Sequence, residues 1–495
     1  MQISPIDLAI LVLYLAGITL FGARFRRGQK SLRDYFLGGR TAPWWALACS
    51  IVATETSTLT IIGTPAIAFA GNLGFLQLVL GYLVARVILC VVLIPQYFNG
   101  EFYTAYQLLG KRFGARMKSV AAMVFLGTRA LAEGVRISAI GKVVSVAFGT
   151  GDRISIMIVS LLTLFYTFEG GMRAVIWTDV VQLALYLSGA AAAFFLLLHK
   201  IPGGWHSVTQ AAAAAGGKLR VFDFTFSLTQ TYTFWSGVLG GTFLTMASHG
   251  TDQTMVQRLL AARNERDSKT ALLASGVIIF VQFSMFLVIG VMLYVYAQHF
   301  AFPVPAGDTD RIFPEFIVRE MPRGLAGLVL ASIFAVAMSN ASGSLNSLAS
   351  SSIIDLGDFG GARSGNESHD ATEVAAQSLR RSRRMTLIWG AVLGGLGLIP
   401  WGSVLEAGLT IASIPGGAML GVFLLGTWNR RANEIGALAG FVTGLAVVSA
   451  IALKLHTYVA WTWYVLIGTV VTIAAGSIAS MIAATPTHSG SSSKA

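Results

Sequence analysis

The stretch SIVATETSTLT, residues 50–60, sets one carboxylate, Glu55, among six hydroxyls inside an apolar run from Trp44 to Ala70. A charge at mid-membrane is expensive unless it is paired or wet. Hydroxyls and freed backbone carbonyls, by contrast, are hard oxygen ligands suited to a small monovalent cation. A second stretch, TMASHGTDQTMV, puts His249, Gly250, Thr251, Asp252 and Gln253 in the middle of another apolar run. A third, RALAEGVRISAIGK, spaces Arg129, Glu133 and Arg136 at i, i+4 and i+7, on one helical face. Glu133 satisfies one arginine well. The other guanidinium is left for Glu55 or for an anionic solute, because arginine grips a carboxylate with two parallel bonds. The plainer reading is an internal charge cluster. A fourth stretch, at 335–356, offers Ser339, Asn340, Ser342 and Ser344 among small residues, either as oxygen ligands or for tight helix packing. His/Cys metal spacing, a nucleotide loop and a hydrolase elbow are all missing, so an enzyme is not expected.

These residues need a scaffold that keeps polar groups inside a bilayer. The chain has 495 residues, 55% of them hydrophobic and 12% charged, with a mean hydropathy of +0.69. Long apolar runs without period-two alternation predict an all-α polytopic membrane protein and argue against a β-barrel. Thirteen spans are expected, at 5–24, 43–70, 74–98, 116–147, 153–169, 174–199, 233–257, 270–298, 325–355, 384–401, 404–427, 434–455 and 460–484. With the N-terminus outside, 23 basic residues fall on the cytoplasmic side and 7 on the other. That bias predicts the C-terminus inside, in the inner or plasma membrane of the cell. The net charge of +12 then reads as topology and contact with anionic lipid, not as nucleic-acid binding.

Cys49 and Cys90 both lie in apolar runs and predict no disulfide framework. The start, MQISPIDLAILVLYLAG, lacks a basic leader region and reads as a retained helix. The segment 358–384, rich in Gly, Ser and charge, is expected to be flexible and cytoplasmic, and its Asn366 sequon is taken as chance. A short helix over the entrance is expected in FPVPAGDTDRIFPEF, and disorder in the tail 485–495. Nothing in the chain sets an oligomeric state.

The polar interruptions of spans 2 and 7 lie five spans apart. Five is odd, so five-helix units beginning at these spans have opposite orientations. That is the inverted repeat of many secondary transporters, whose broken first helices frame the solute site. The expected organisation is a peripheral helix and loop at 1–42, a first repeat at 43–199, an outer loop at 200–232, a second repeat at 233–428, and two peripheral helices at 429–484.

Several pieces then fall in a telling order: DYFLGGRTAPWWALACSIVATETS, YTFEGGMRAVIWTDVVQ, HGTDQTMVQRLLAAR, AVAMSNASGSLNSLASSSIIDL and GVFLLGTWNRRANEIGALAG. From about Asp34 to Arg431 the chain resembles the sodium/solute symporter family, which includes sodium-coupled sugar, proline and sialic acid carriers. The resemblance implies a leucine-transporter-like five-plus-five core over spans 2–11. It also implies alternating access and sodium-coupled import of a small polar solute: a sugar, polyol, sugar acid or other carboxylate.

Carried over residue by residue, the resemblance implies a sodium ion held by the carbonyls of Ala53, Thr56 and Val336 and the side chains of Ser339 and Asn340. Asn340 departs from the usual Ser or Thr. A second sodium of some relatives maps onto Asp179 and Ser342, but Gly343 stands where a further hydroxyl is needed. Asp179 is then left for a local hydrogen bond or for an ion leaving toward the cytoplasm. Ser57 and Thr60 match substrate-facing positions, and Arg129 matches the arginine that sialic acid carriers use for the substrate carboxylate. Gln77, His249, Asp252 and Gln253 are further solute candidates, and Glu55 is expected in a pairing role near ion and solute. Structural alternatives stand beside them: Asp252 as a helix cap, Gln77 bonded to a neighbouring backbone. Arg86 is assigned to structure. The lysine that sugar carriers place after the span 7 break is missing from ALLASGVIIFVQFSMF. Proton coupling through Glu55 or Asp179 is the alternative to sodium, and a channel or sensor borrowing the fold is a third reading.

Overall fold

The computed structural model describes residues 3–24, 37–100, 102, 104–166, 172–300, 302, 307–354 and 371–484, though not every side chain among them. The helices run in the order α1 (Pro5–Ala23), α2 (Trp44–Glu55), α3 (Thr58–Ala70), α4 (Phe75–Val92), α5 (Ile94–Phe98), α6 (Ala105–Phe113), α7 (Ala115–Phe148), α8 (Asp152–Tyr166), α9 (Met172–Lys200) and α10 (Gly204–Ala214). They continue with α11 (Phe234–Thr251), α12 (Gln253–Leu260), α13 (Glu265–His299), α14 (Ile312–Glu320), α15 (Leu325–Ile354), α16 (Ala371–Gly397), α17 (Val404–Trp428), α18 (Glu434–Lys454) and α19 (Tyr464–Ala484). The described residues form an all-helical bundle with no named strand.

Six of these helices are each long and apolar enough to cross a membrane by themselves, and up to eight spans result if each bent pair counts as one. This count is made of the described residues alone and is coarser than the thirteen spans expected from the sequence. The break in α2–α3 shows why single helices undercount: its halves, of 12 and 13 residues, are each too short to span and pass only when taken together. The pair α7 and α8 is bent by 112°, turning back at Gly149, whose φ of 66° favours glycine. The expected flexible segment 358–384 is helical from Ala371 onward, while 355–370 and the tail 485–495 lie outside the described residues. The short helix expected before span 9 is α14, led in by a turn at Thr309–Arg311.

Two packing devices position the site. The broken helix α2–α3 lies against α13, and α4 lies against α11. The second crossing is close because glycines line it: a Cβ at Gly237 would stand 2.9 Å from the Gln77 backbone, and one at Gly241 would overlap the Leu78 carbonyl. At the rim, Asp7 accepts from the N–H groups of Gly324 and Gly327 at 2.7 and 2.8 Å, tying α1 to the start of α15.

Candidate solute and ion site

The helical ladder of α2 ends where Thr56 N–H donates to the Val52 carbonyl at 2.8 Å. Thr56 and Ser57 are extended (ψ 112° and 178°), and α3 leaves at 64° to α2. Carbonyls of the last turn, Ala53 among them, are thereby freed of helical donors. The hinge is braced from outside: Gln282 donates to Thr56 Oγ1 at 2.7 Å, and Tyr186 Oη donates to Gln282 at 3.2 Å. The second break lies between α11 and α12. Asp252 is extended there, and its Oδ1 caps α12 by accepting from Thr254 N–H at 2.8 Å. Tyr97 Oη donates to the Gly250 carbonyl beside it at 2.6 Å.

The two breaks face one cavity of about 230 Å³. Glu55, Ser57, Thr60, Arg129, His249 and Asp252 all line it, so six of the eight expected solute residues come together. Phe75, Tyr82, Phe125 and Phe283 supply much of the remaining wall. Gln77 and Gln253 do not line the cavity. Gln77 is fully buried, donates to the Gly74 and Tyr232 carbonyls and accepts from Asp223 N–H, which anchors the segment between α10 and α11. Gln253 accepts from Ala105 N–H at 2.7 Å and ties α6 to the second break.

Glu55 has a partner the sequence reading did not assign. Arg86 of α4 donates to Glu55 Oε2 through Nη2, and His249 Nε2 lies 3.4 Å from the same oxygen. Arg86 also donates to the Tyr82 carbonyl and to Ser275, at 3.0 and 3.2 Å. The arginines of α7 are thus not needed for Glu55. Arg136 pairs with Glu133 at 3.0 Å, and Ser344 donates to Glu133 at 2.8 Å. Arg129 donates to Ser344 through Nε at 2.9 Å. Among the described residues no hydrogen bond engages its two terminal nitrogens, and Arg129 lines the cavity.

Asp179 is likewise occupied by a neighbour. It accepts from Ser50 Oγ at 2.6 Å and from Arg258 Nη2 at 3.2 Å. The sequence places Arg258 in a cytoplasmic loop; it is instead a buried residue of α12, the short helix that continues the span after its break.

Of the expected sodium ligands, Ala53 and Thr56 sit at the first hinge, and Val336 and Asn340 lie on α15. The side chains of Ser339 and Ser342 lie outside the described residues. Asn340 borders a small void together with Ser57 and Thr58. Asn340 Nδ2 and Thr58 Oγ1 are buried without a partner. Unpaired polar atoms beside freed carbonyls suit a cation, since reversing the Asn340 amide presents its oxygen to the void.

The family model for the sodium:solute symporter family matches residues 35–444. The chain is 30% identical over 493 residues to the sodium/sialic acid symporter SiaT of Proteus mirabilis (strain HI4320), covering 96% of this chain and 94% of that protein. It is 29% identical to the human (Homo sapiens) sodium/iodide cotransporter, covering 91% of this chain and 69% of the relative. Its fold matches a solved Na+-coupled sialic acid symporter, described as substrate-bound and outward-open, with a TM-score of 0.82 at 29% identity, over 97% of this chain and 98% of the other. The chain belongs to the sodium:solute symporter family, and is a multi-pass, sodium-coupled solute carrier with a leucine-transporter-like fold, not an enzyme.

Proposed function

We propose that the protein imports a small polar solute bearing a carboxylate, gripped by Arg129, in symport with sodium held at the first hinge. The observation that carries this reading is Arg129 itself. Its Nε is fixed by Ser344, its terminal nitrogens have no hydrogen-bond partner among the described residues, and it lines the same cavity as Ser57 and Thr60. A guanidinium so braced is preorganised for two parallel bonds to a carboxylate. A sialic acid carrier among the relatives supports a sugar acid or similar anion as one member of this class.

Sodium is assigned to the carbonyls of Ala53, Thr56 and Val336 with Ser339 and Asn340. One sodium per cycle is proposed, because Arg258 already neutralises Asp179. The thirteen spans, with the N-terminus outside, the C-terminus inside and two five-helix repeats at 43–199 and 233–428, belong to the same reading. So does residence in the lipid bilayer of the inner or plasma membrane.

Thermal-shift titration of the purified protein with sugars, polyols, amino acids and carboxylates, with and without sodium, tests the proposal. Stabilisation is expected only for carboxylate-bearing solutes, only with sodium present, and is lost in Arg129→Gln. Equal stabilisation by uncharged polyols in wild type and Arg129→Gln defeats it.

A further inference from the structure

Six charged side chains gather around the cavity and the buried shell behind it: Arg86, Arg129 and Arg136, with Glu55, Glu133 and Asp252. Two pairs are satisfied internally, Arg86 with Glu55 and Arg136 with Glu133. Arg129 and Asp252 remain. Both line the cavity. Among the described residues neither is placed in an ion pair. Asp252 spends one oxygen on the α12 cap, and among the described residues no donor meets the other.

We propose that the cavity is built for a small zwitterion with an apolar flank, its carboxylate on Arg129 and its ammonium on Asp252. The assignment rests on Arg129 as the carboxylate anchor proposed above and adds the second pole. In a site walled by Phe75, Tyr82 and Phe283, an unpaired charge is costly. A pure anion satisfies Arg129 but meets the uncompensated Asp252 carboxylate. A neutral polyol pairs neither charge. A zwitterion pairs both and leaves the net charge of the cavity unchanged. The aromatic wall suits an apolar side group better than a fully hydroxylated body.

The test uses the full chain in nanodiscs with sodium present. The probes are L-leucine and L-phenylalanine, their deaminated counterparts 4-methylpentanoate and 3-phenylpropionate, their decarboxylated counterparts 3-methylbutylamine and 2-phenylethylamine, and N-acetylneuraminate. Binding is read by calorimetry and thermal shift. At least one amino acid is expected to bind ten-fold or more tightly than both of its counterparts. Asp252→Asn keeps the oxygen that caps α12 and removes the charge. It is expected to cut amino-acid affinity at least ten-fold while leaving that of the deaminated acid equal or improved. Binding of the deaminated acids or of N-acetylneuraminate, with no preference for a zwitterion, overturns this inference while leaving the Arg129 reading intact. Absence of stabilisation by both amino acids also overturns it. Binding that Arg129→Gln leaves unchanged removes the carboxylate reading itself, a separate result.

Discussion

Arg258 and Asp179 meet at 3.2 Å between α12 and α9, both buried, with Ser50 of α2 bonded to each. Three elements are joined there by one guanidinium: one half of each broken helix, α2 and α12, and the helix that carries the WTD sequence. The arrangement puts a fixed positive charge where the family resemblance allowed a second, mobile one.

The first prediction follows from that exchange. Removing one partner leaves the other charged and buried, so Arg258→Leu is expected to cost about 3–5 kcal/mol of stability, and Asp179→Asn in the same background to recover most of it. Uptake by the wild type is expected to rise hyperbolically with sodium. Denaturant unfolding checks the first statement, and flux against sodium concentration the second. A sigmoidal sodium curve would show that a second ion binds despite Arg258.

The second concerns Glu55. Its Oε2 is committed to Arg86 and His249. Glu55→Gln keeps the shape but strips Arg86 of its only carboxylate among the described residues. Stability is expected to fall by about 3 kcal/mol with the sodium half-saturation of uptake little changed. A large rise in half-saturation at unchanged stability reverses the assignment and makes the carboxylate part of the ion site.

Both hinges were legible in the sequence because a hydroxyl-rich or charged stretch inside an apolar run has few physical uses. Glu55, Ser57, Thr60, Arg129, His249 and Asp252 reach one cavity for that reason. The partners of the charges were not legible. Arg86 lies 31 residues from Glu55, and Arg258 lies 79 from Asp179, so no helical period links either pair. Arg258 was misplaced for a related reason: the span was ended at residue 257, whereas the helix after the break, α12, runs on to Leu260. Gln77 and Gln253 show the converse limit. An amide in an apolar run signals a need for hydrogen bonds but not their direction, and in both cases backbone groups meet it.

A third prediction lies outside the membrane-spanning segments, at Glu320 on α14. Burial opposes its ionisation, but the Lys200 ammonium and then the Tyr296 hydroxyl donate to it, and together they hold its carboxyl below the usual range. A depressed carboxyl contributes stability above its unfolded pKa and loses it as pH falls through the folded one. Glu320→Gln is therefore expected to cost about 1 kcal/mol or less at neutral pH, given the partial exposure of the pair. The gap between wild type and variant should close as the pH drops below the ordinary glutamate range. Thermal unfolding of both proteins across a pH series measures it, and a gap that widens toward acid contradicts the assignment.

The last concerns Asn340, where the chain departs from the Ser or Thr usual in its family. Its Nδ2 is buried without a partner beside the void that Ser57 and Thr58 also border. An orphaned donor of this kind costs about 1–3 kcal/mol. Asn340→Ser removes it and keeps an oxygen, now on a shorter arm. Stability without sodium is expected to hold or rise, and sodium-dependent stabilisation to persist. Asn340→Ala removes the donor and the oxygen together. Its stability without sodium should match that of the Ser variant, while its sodium half-saturation rises by roughly ten-fold, the value of about 1.4 kcal/mol for one lost ligand. The contrast between Ser and Ala at equal sodium-free stability separates ligation from packing. If both variants respond to sodium as the wild type does, Asn340 only fills space on α15, and the cage must draw its oxygens from elsewhere at the hinge.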